Sequence, residues 1–266
     1  MTKVFVTVDE IQVPARFIDA RFNLSDSKRG QALYNEEHIK GAVYFDLEQH
    51  LSDMTKKAGR HPMPEKEKLI DLFESVGLAL KDTVYVYDQG GTPFATRAWW
   101  MLSYAGFKKV YIVNGGFTAL KEAGLETETG TVSYDRSTII PQWNEESYAS
   151  REYVKAITIG ETDALLLDAR AAARYRGEME PLDPIAGHIP TAQNFDWEQV
   201  KQGNTLAPTE ALLQAVPKED EIVVYCGSGV TASPLYAVLK EAGYKKVRLY
   251  VGSYSDWITE HDVEKG

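Results

Sequence analysis

The chain has 266 residues, 44% hydrophobic and 26% charged, with 29 basic against 39 acidic side chains and a formal net charge of −10. That length and mixture suit one large globular domain or two ordinary ones. The acidic balance argues against nucleic acid, whose recognition needs a basic footprint.

A single cysteine excludes an internal disulfide. No apolar run approaches the length of a membrane span. The start, "MTKVFVTV", lacks the apolar stretch and small-residue cleavage site of a secretion signal. A cytoplasmic protein with neither a membrane nor a nucleic-acid partner is expected. Screening confines charge effects to roughly 8 Å at physiological salt, so a local basic site can still hold an anion.

In chain order, "FIDARF" (17–22) is the first apolar run, followed by "EEHIKGA" (36–42). "KEKLIDLFESVGL" puts Leu69, Ile70, Leu72, Phe73 and Val76 on one helical stripe. "TVYVY" (83–87) reads as a buried strand, and "YAGFKKVYIVNGGF" (104–117) holds the next one. "PFATRAWW" places Trp99 and Trp100 in a core or at an interface. Residues 126–148 are polar and weakly periodic, and are expected to connect two units.

The same pieces then return in order. "LLDARA" (166–171), "AGHIPTA" (186–192), "EIVVYCGSG" (221–229) and "EAGYKKVRLYVGSY" (241–254) follow the first set at a nearly constant offset. Four ordered matches predict two copies of one domain, residues 1–125 and 149–266. "SPLYAVLKEAG" carries Pro234 in its first turn and Gly243 just past its end, the usual punctuation of a helix. Strands alternating with helices predict an α/β fold, each copy a mainly parallel sheet with helices on both faces.

The one cysteine, Cys226, ends the strand "EIVVY" and opens the loop "CGSGVTAS" before that helix. Ligand sites of parallel sheets form beyond the C-terminal strand ends, and a helix N-terminus stabilises an anion there. Gly227 and Gly229 let the loop curl so that its N–H groups turn inward. A thiol at that centre is expected to react as its thiolate. A cysteine phosphatase would carry Arg six residues after the cysteine, where this chain has Ala232. None of His38, His50, His61, His188 and His261 is marked by the sequence as a base for a Cys–His hydrolase. A dithiol oxidoreductase lacks its second cysteine. A lone thiolate that carries a group remains. Sulfur is the natural cargo, transferred through a persulfide that the loop amides hold as oxyanion donors hold developing charge.

These pieces, with "DAR" and "HIKGAVYFDL" in the first copy and "DARAAARYRG", "GHIPTAQNF", "CGSGVTAS" and "GSYSDW" in the second, resemble the rhodanese family of sulfurtransferases and its tandem two-domain members. The resemblance implies two rhodanese-like domains, the first inactive and the second catalytic, with the site in the groove between them. Asp88 stands in the first copy where Cys226 stands in the second, which agrees, since a carboxylate cannot be the sulfur nucleophile. The resemblance makes Cys226 the nucleophile and persulfide carrier, and Arg174 the ligand of the donor anion. It makes Gly227, Ser228, Gly229, Val230 and Thr231 the cradle, and matches His38 to a first-domain histidine of the site. Arg170 and its counterpart Arg21 are expected to be structural.

The neutral loop sequence is of the type that implies 3-mercaptopyruvate as donor. The second arginine of animal-type enzymes is replaced by Leu182, which leaves thiosulfate open. A small-molecule sulfur donor is implied, with cyanide, a small thiol, a thioredoxin-like reductant or a protein as acceptor, and no metal or organic cofactor. A persulfide carrier without turnover is the alternative.

Overall fold

The β-branched and aromatic run Thr83–Tyr87 lies at the centre of one sheet, and Ile222–Tyr225 at the centre of a second with the same strand order. A computed structural model describes residues 3–266. In the first half the elements run β1 (Phe5–Val6), β2 (Arg16–Asp19), α1 (Arg29–Glu36), β3 (His38–Ile39), β4 (Ala42–Tyr44), α2 (Lys66–Ser75), β5 (Thr83–Tyr87), α3 (Phe94–Tyr104), β6 (Lys109–Val113), α4 (Gly116–Glu122) and β7 (Thr127–Glu128). The second half continues with β8 (Tyr148–Ala149), α5 (Arg151–Thr158), β9 (Leu165–Asp168), α6 (Ala172–Tyr175), β10 (Gln193–Asn194), β11 (Lys201–Gln202), β12 (Thr205–Leu206), α7 (Glu210–Ala215), β13 (Ile222–Tyr225), α8 (Ala232–Glu241), β14 (Val247–Tyr250) and α9 (Ser253–Trp257).

The first sheet has the order β1-β6-β5-β2-β4 and the second β8-β14-β13-β9-β10, read from the matching edge. Every pairing within these two sheets is parallel. The repeat extends to side chains. Asp19 holds Arg21 over the Phe117 ring, and Asp168 holds Arg170 over the Tyr254 ring. Burial outside water makes such a pair depend on its hydrogen bonds. Each arginine also donates to a backbone carbonyl, Glu37 O in one half and Gly187 O in the other.

One apolar cluster runs through both halves, and each half has a smaller one on another face. The halves meet along α3 and α8, which pack on each other. That is why "FATRAWWMLSY" is apolar nearly all round, as a helix enclosed on every side must be. Trp99 faces Tyr236 of α8 with ring centroids 6.1 Å apart, and its indole N–H donates to Val110 O. Trp100 stacks on Tyr104. Each large apolar side chain so buried contributes about 1.5–3 kcal/mol.

Residues 126–148 do not hang free between the halves. Thr127–Glu128 pair antiparallel with His38–Ile39. Further on, Ser137 N–H donates to Glu74 O, Gln142 N–H to Ala105 O and Asn144 N–H to Tyr104 O, strapping the segment along the first half. No helix among the described residues is long and apolar enough to cross a membrane.

Candidate active site

The loops after β5 and β13 lead into α3 and α8, the two helices that pack across the seam. Asp88 and Cys226 end equivalent central strands. The Cys226 thiol is buried, 1% exposed, and accepts the Gly229 N–H at 3.2 Å. Gly229 has φ +73°, and a Cβ there would overlap Val251 O, so the loop can turn at this point only with glycine.

The motif "GSYSDW" folds into the start of α9 and grips the loop from the opposite side. Tyr254 N–H donates to Cys226 O and Ser255 N–H to Gly227 O, both at 2.9 Å. Cys226 N–H donates to Ser253 Oγ at 3.1 Å. The first half repeats the grip, with Phe117 N–H donating to Asp88 O at 2.8 Å. There the loop amides are taken by a resident carboxylate. Asp88 Oδ1 accepts Gly90 N–H and Oδ2 accepts Ala95 N–H. Burial pushes the Asp88 carboxyl up, and these N–H groups pull it back only in part.

The first half sends three further side chains to the cysteine loop. Arg97 of α3 is fully buried and donates to Gly229 O at 3.1 Å, Leu51 O at 3.0 Å and His61 O at 3.2 Å. Among the described residues no carboxylate pairs with it, and its Nε has no partner. Burial pushes Arg97 down to about 10, and the one charge acting the other way is that of Cys226. His61 shares a 2.8 Å hydrogen bond between its Nδ1 and Ser228 Oγ. Burial, with the Arg97 and Arg60 cations adding, pushes His61 down to about 3, so its ring is neutral near pH 7.

Arg60 lies against Gly227 together with Arg174 of α6. Its approach depends on Gly59, at φ +82°, where a Cβ would stand 2.9 Å from Ser255 Oγ. Arg60 N–H itself donates to Ser255 Oγ at 3.1 Å. Four charges then form a chain over the loop. Arg60 donates to both Asp183 oxygens at 2.9 and 3.1 Å. Arg174 donates to Asp183 at 3.3 Å and to Glu180 at 2.7 and 3.0 Å. Burial pushes Glu180 up, but its hydrogen bonds from Arg174 and from the Leu182 and Asp183 amides outweigh that and hold it below the usual range. Glu180 also accepts from Arg170 at 3.2 Å.

Of the residues singled out in the sequence, Cys226, Gly227, Ser228, Gly229, Val230, Thr231 and Arg174 come together here. Val230 is buried in the shared core, and Thr231 caps α8 without a side-chain hydrogen bond. Ala232 is buried, and the cations stand instead on Arg60, Arg97 and Arg174. His38 is not brought to the loop, which corrects the expectation for it. It is fully buried in the first half, stacked on Tyr34, with Nδ1 on Tyr34 O at 2.7 Å and Glu128 3.6 Å from Nε2. His188 repeats that arrangement on Tyr175 and Glu264. The pair is therefore part of the repeated framework, and the histidine at the site is His61. Arg60, His61, Arg97 and Asp183 were not singled out. No spacing marked Arg60 and His61, since "GRHPMP" (59–64) matches "GNTLAP" (203–208) in the second copy, where the two positions hold Asn204 and Thr205.

Comparison with known proteins gives a consistent result. The rhodanese-like domain family matches residues 8–123 and again 150–260. A Pseudomonas aeruginosa protein named "Probable 3-mercaptopyruvate sulfurtransferase" is 41% identical over 254 residues, spanning 91% of this chain and 89% of its own. The "Thiosulfate sulfurtransferase" of Azotobacter vinelandii is 29% identical over 243 residues, 87% of this chain and 86% of its own. The crystal structure of SseA from Escherichia coli, titled as a 3-mercaptopyruvate sulfotransferase, superposes with a TM-score of 0.81 at 33% identity, over 96% of this chain and all of that one.

Proposed function

The chain belongs to the rhodanese-like family, and from that premise we propose that it is a sulfurtransferase working through a Cys226 persulfide. The Cys226 thiolate attacks the outer sulfur of the donor. With thiosulfate the S–S bond breaks and sulfite leaves with its electron pair. With 3-mercaptopyruvate the C–S bond breaks and the pyruvate enolate leaves, taking up the proton of the donor thiol. Either way Cys226 becomes Cys–S–S⁻, and attack of cyanide or a thiolate on the outer sulfur returns the thiolate, with thiocyanate or a new persulfide as product.

The observation that carries this reading is the setting of Cys226. Its sulfur accepts a loop N–H, and the buried Arg97, which no carboxylate neutralises among the described residues, donates to its loop. Arg97 offsets the thiolate and then the persulfide. Arg60 and Arg174 bind the donor anion, Arg as a planar fork suited to a carboxylate or sulfonate. In this reading the neutral His61 and the Ser228 hydroxyl relay the donor's thiol proton to the enolate.

The first half, residues 1–125, has Asp88 in place of the nucleophile and serves as the catalytic partner of residues 149–266, with 126–148 as the strap between them. The donor is 3-mercaptopyruvate in preference to thiosulfate, the acceptor a small thiol, cyanide or a thioredoxin-like protein, and the site of action the cytoplasm. Thiocyanate release from each donor with cyanide tests the assignment, and Cys226→Ala is expected to release none. Turnover surviving in that variant overturns it, and a single stoichiometric burst in the native chain indicates a carrier.

A further inference from the structure

Among the described residues the Asp183 side chain has hydrogen bonds to two groups, Arg60 from the first half and Arg174 from the second. Both arginines stand over Gly227, next to the nucleophile. Glu180 is tied differently. It accepts from Arg170, from Arg174 and from the Leu182 and Asp183 amides, so four groups fix it in place. The strand of chain that carries both acids turns Met179, Leu182 and Ile185 to solvent. No apolar side chain of this segment is buried; its backbone is held by Asp183 N–H on Glu180 and by Tyr254 Oη on Ile185 O, while the Asp183 side chain itself is held by the two arginines. The side chain of Asp183 is nevertheless almost wholly enclosed, while Arg60 keeps a third of its side chain exposed.

We propose that Asp183 is a specificity-determining residue: a resident anion clasped by Arg60 and Arg174 that the donor must displace, leaving a pocket charged for a monoanion. This rests on the sulfurtransferase reading for its choice of donors. The charge count is the reason. Arg60 and Arg174 bring two positive charges, and the fixed Glu180 cancels one. When Asp183 swings out, the cleft offers a net single positive charge. A carboxylate such as that of 3-mercaptopyruvate matches it, whereas a dianion such as thiosulfate brings a second negative charge towards Glu180. The neutral cysteine loop supplies no side-chain cation to offset that charge. The departing Asp183 also separates the two halves' contributions to the cleft, because the Arg60–Asp183 pair is a bond from one half to the other. Opening of the site and exchange of anions are thus one event.

The test uses Asp183→Asn, which keeps shape and removes charge, in the full chain. Alkylation of Cys226 by anionic iodoacetate and by neutral iodoacetamide reads the charge at the thiol without any turnover. A unit charge in a half-solvated cleft changes the local anion preference by roughly tenfold. The iodoacetate-to-iodoacetamide rate ratio should therefore rise about tenfold in the variant. Displaced yet still tethered beside the cleft, the native Asp183 repels a dianion more than a monoanion, so the thiosulfate-to-mercaptopyruvate ratio of kcat/KM should also rise in the variant, by less than the alkylation ratio and mostly through KM. Should Asp183→Asn fail to fold, the smaller neutral Asp183→Ser removes the same charge, and the alkylation ratio should rise with the same sign. A folded Asp183→Asn or Asp183→Ser protein with an unchanged alkylation ratio overturns the role of Asp183. A shifted alkylation ratio in a protein that turns over neither donor supports Asp183 as the resident anion and overturns the sulfurtransferase reading instead.

Discussion

Alanine at the two loop glycines should break different things. Gly229 sits at φ +73°, where an L side chain costs about 1–2 kcal/mol. Its Cβ would also overlap Val251 O and lie 2.9 Å from Val251 C and 2.8 Å from Arg97 Nη1. Val251 directly follows β14, one of the inner strands, and cannot retreat without moving the sheet. Forcing such a contact costs about 1–3 kcal/mol more. Gly229→Ala should therefore lose about 3 kcal/mol, a fall in Tm on the order of 10 °C for a chain of this size. It should also lose the Gly229 N–H bond to Sγ, and most activity with it.

Gly227 differs because its φ is not in the left-handed region. Its Cβ would meet only the guanidinium tips of Arg60 and Arg174, the latter at 3.3 Å. Those tips can move, so the stability cost should stay below about 1 kcal/mol, as for other partly exposed ion pairs. The displaced arginines are the proposed donor ligands, and lost charge-assisted hydrogen bonds of about 1.5–3 kcal/mol correspond to a drop in kcat/KM of roughly 10- to 100-fold. Thermal melts, donor kinetics and the rate of iodoacetamide alkylation separate the two. Gly227→Ala should melt near the native temperature, alkylate at the native rate and use donor poorly. A Gly229→Ala protein that melts and turns over normally, or a Gly227→Ala protein that is unstable but fully active, would refute this account of the loop.

Three other outcomes follow from the geometry. His61 takes up a proton in the unfolded chain near pH 6.5 but in the folded one only near 3. The unfolded state binds the extra proton, so stability is intact above pH 6.5 and falls as pH drops towards 3, by about 2 kcal/mol at pH 5. His61→Gln should lose that part of the slope in melts taken from pH 7.5 to 4.5, and an identical slope would contradict the neutral buried ring. Arg97→Met leaves the Leu51 and His61 carbonyls without a donor and the thiolate without its buried cation, so iodoacetamide alkylation at pH 7 should slow by roughly tenfold, and an unaffected rate would remove Arg97 from the mechanism. Asp88→Ala strands the Gly90 and Ala95 amides, which should cost about 2 kcal/mol or more of stability while kcat per folded molecule stays the same; a large loss of kcat would give the first-half loop a part in catalysis.

The ordered repeat, the strand–helix alternation and the glycine-flanked cysteine before a helix were legible in the chain because each is a local pattern. Apolar period decides strand or helix, and glycine spacing permits the curl of a loop. "KEKLIDLFESVGL", "TVYVY" and "SPLYAVLKEAG" became α2, β5 and α8 for that reason. The exchange of cysteine for Asp88 at the equivalent strand end was legible too. Apart from Arg174, which charges surround the thiol was decided by tertiary structure alone. Arg60, His61 and Arg97 lie well over a hundred positions before Cys226 and reach it only because α3 and α8 pack against each other. No period or spacing encodes such a meeting. His38 carried a motif and proved to be framework, whereas His61 carried none and meets Ser228, because a side chain's chemistry depends on the partner that long-range packing brings to it.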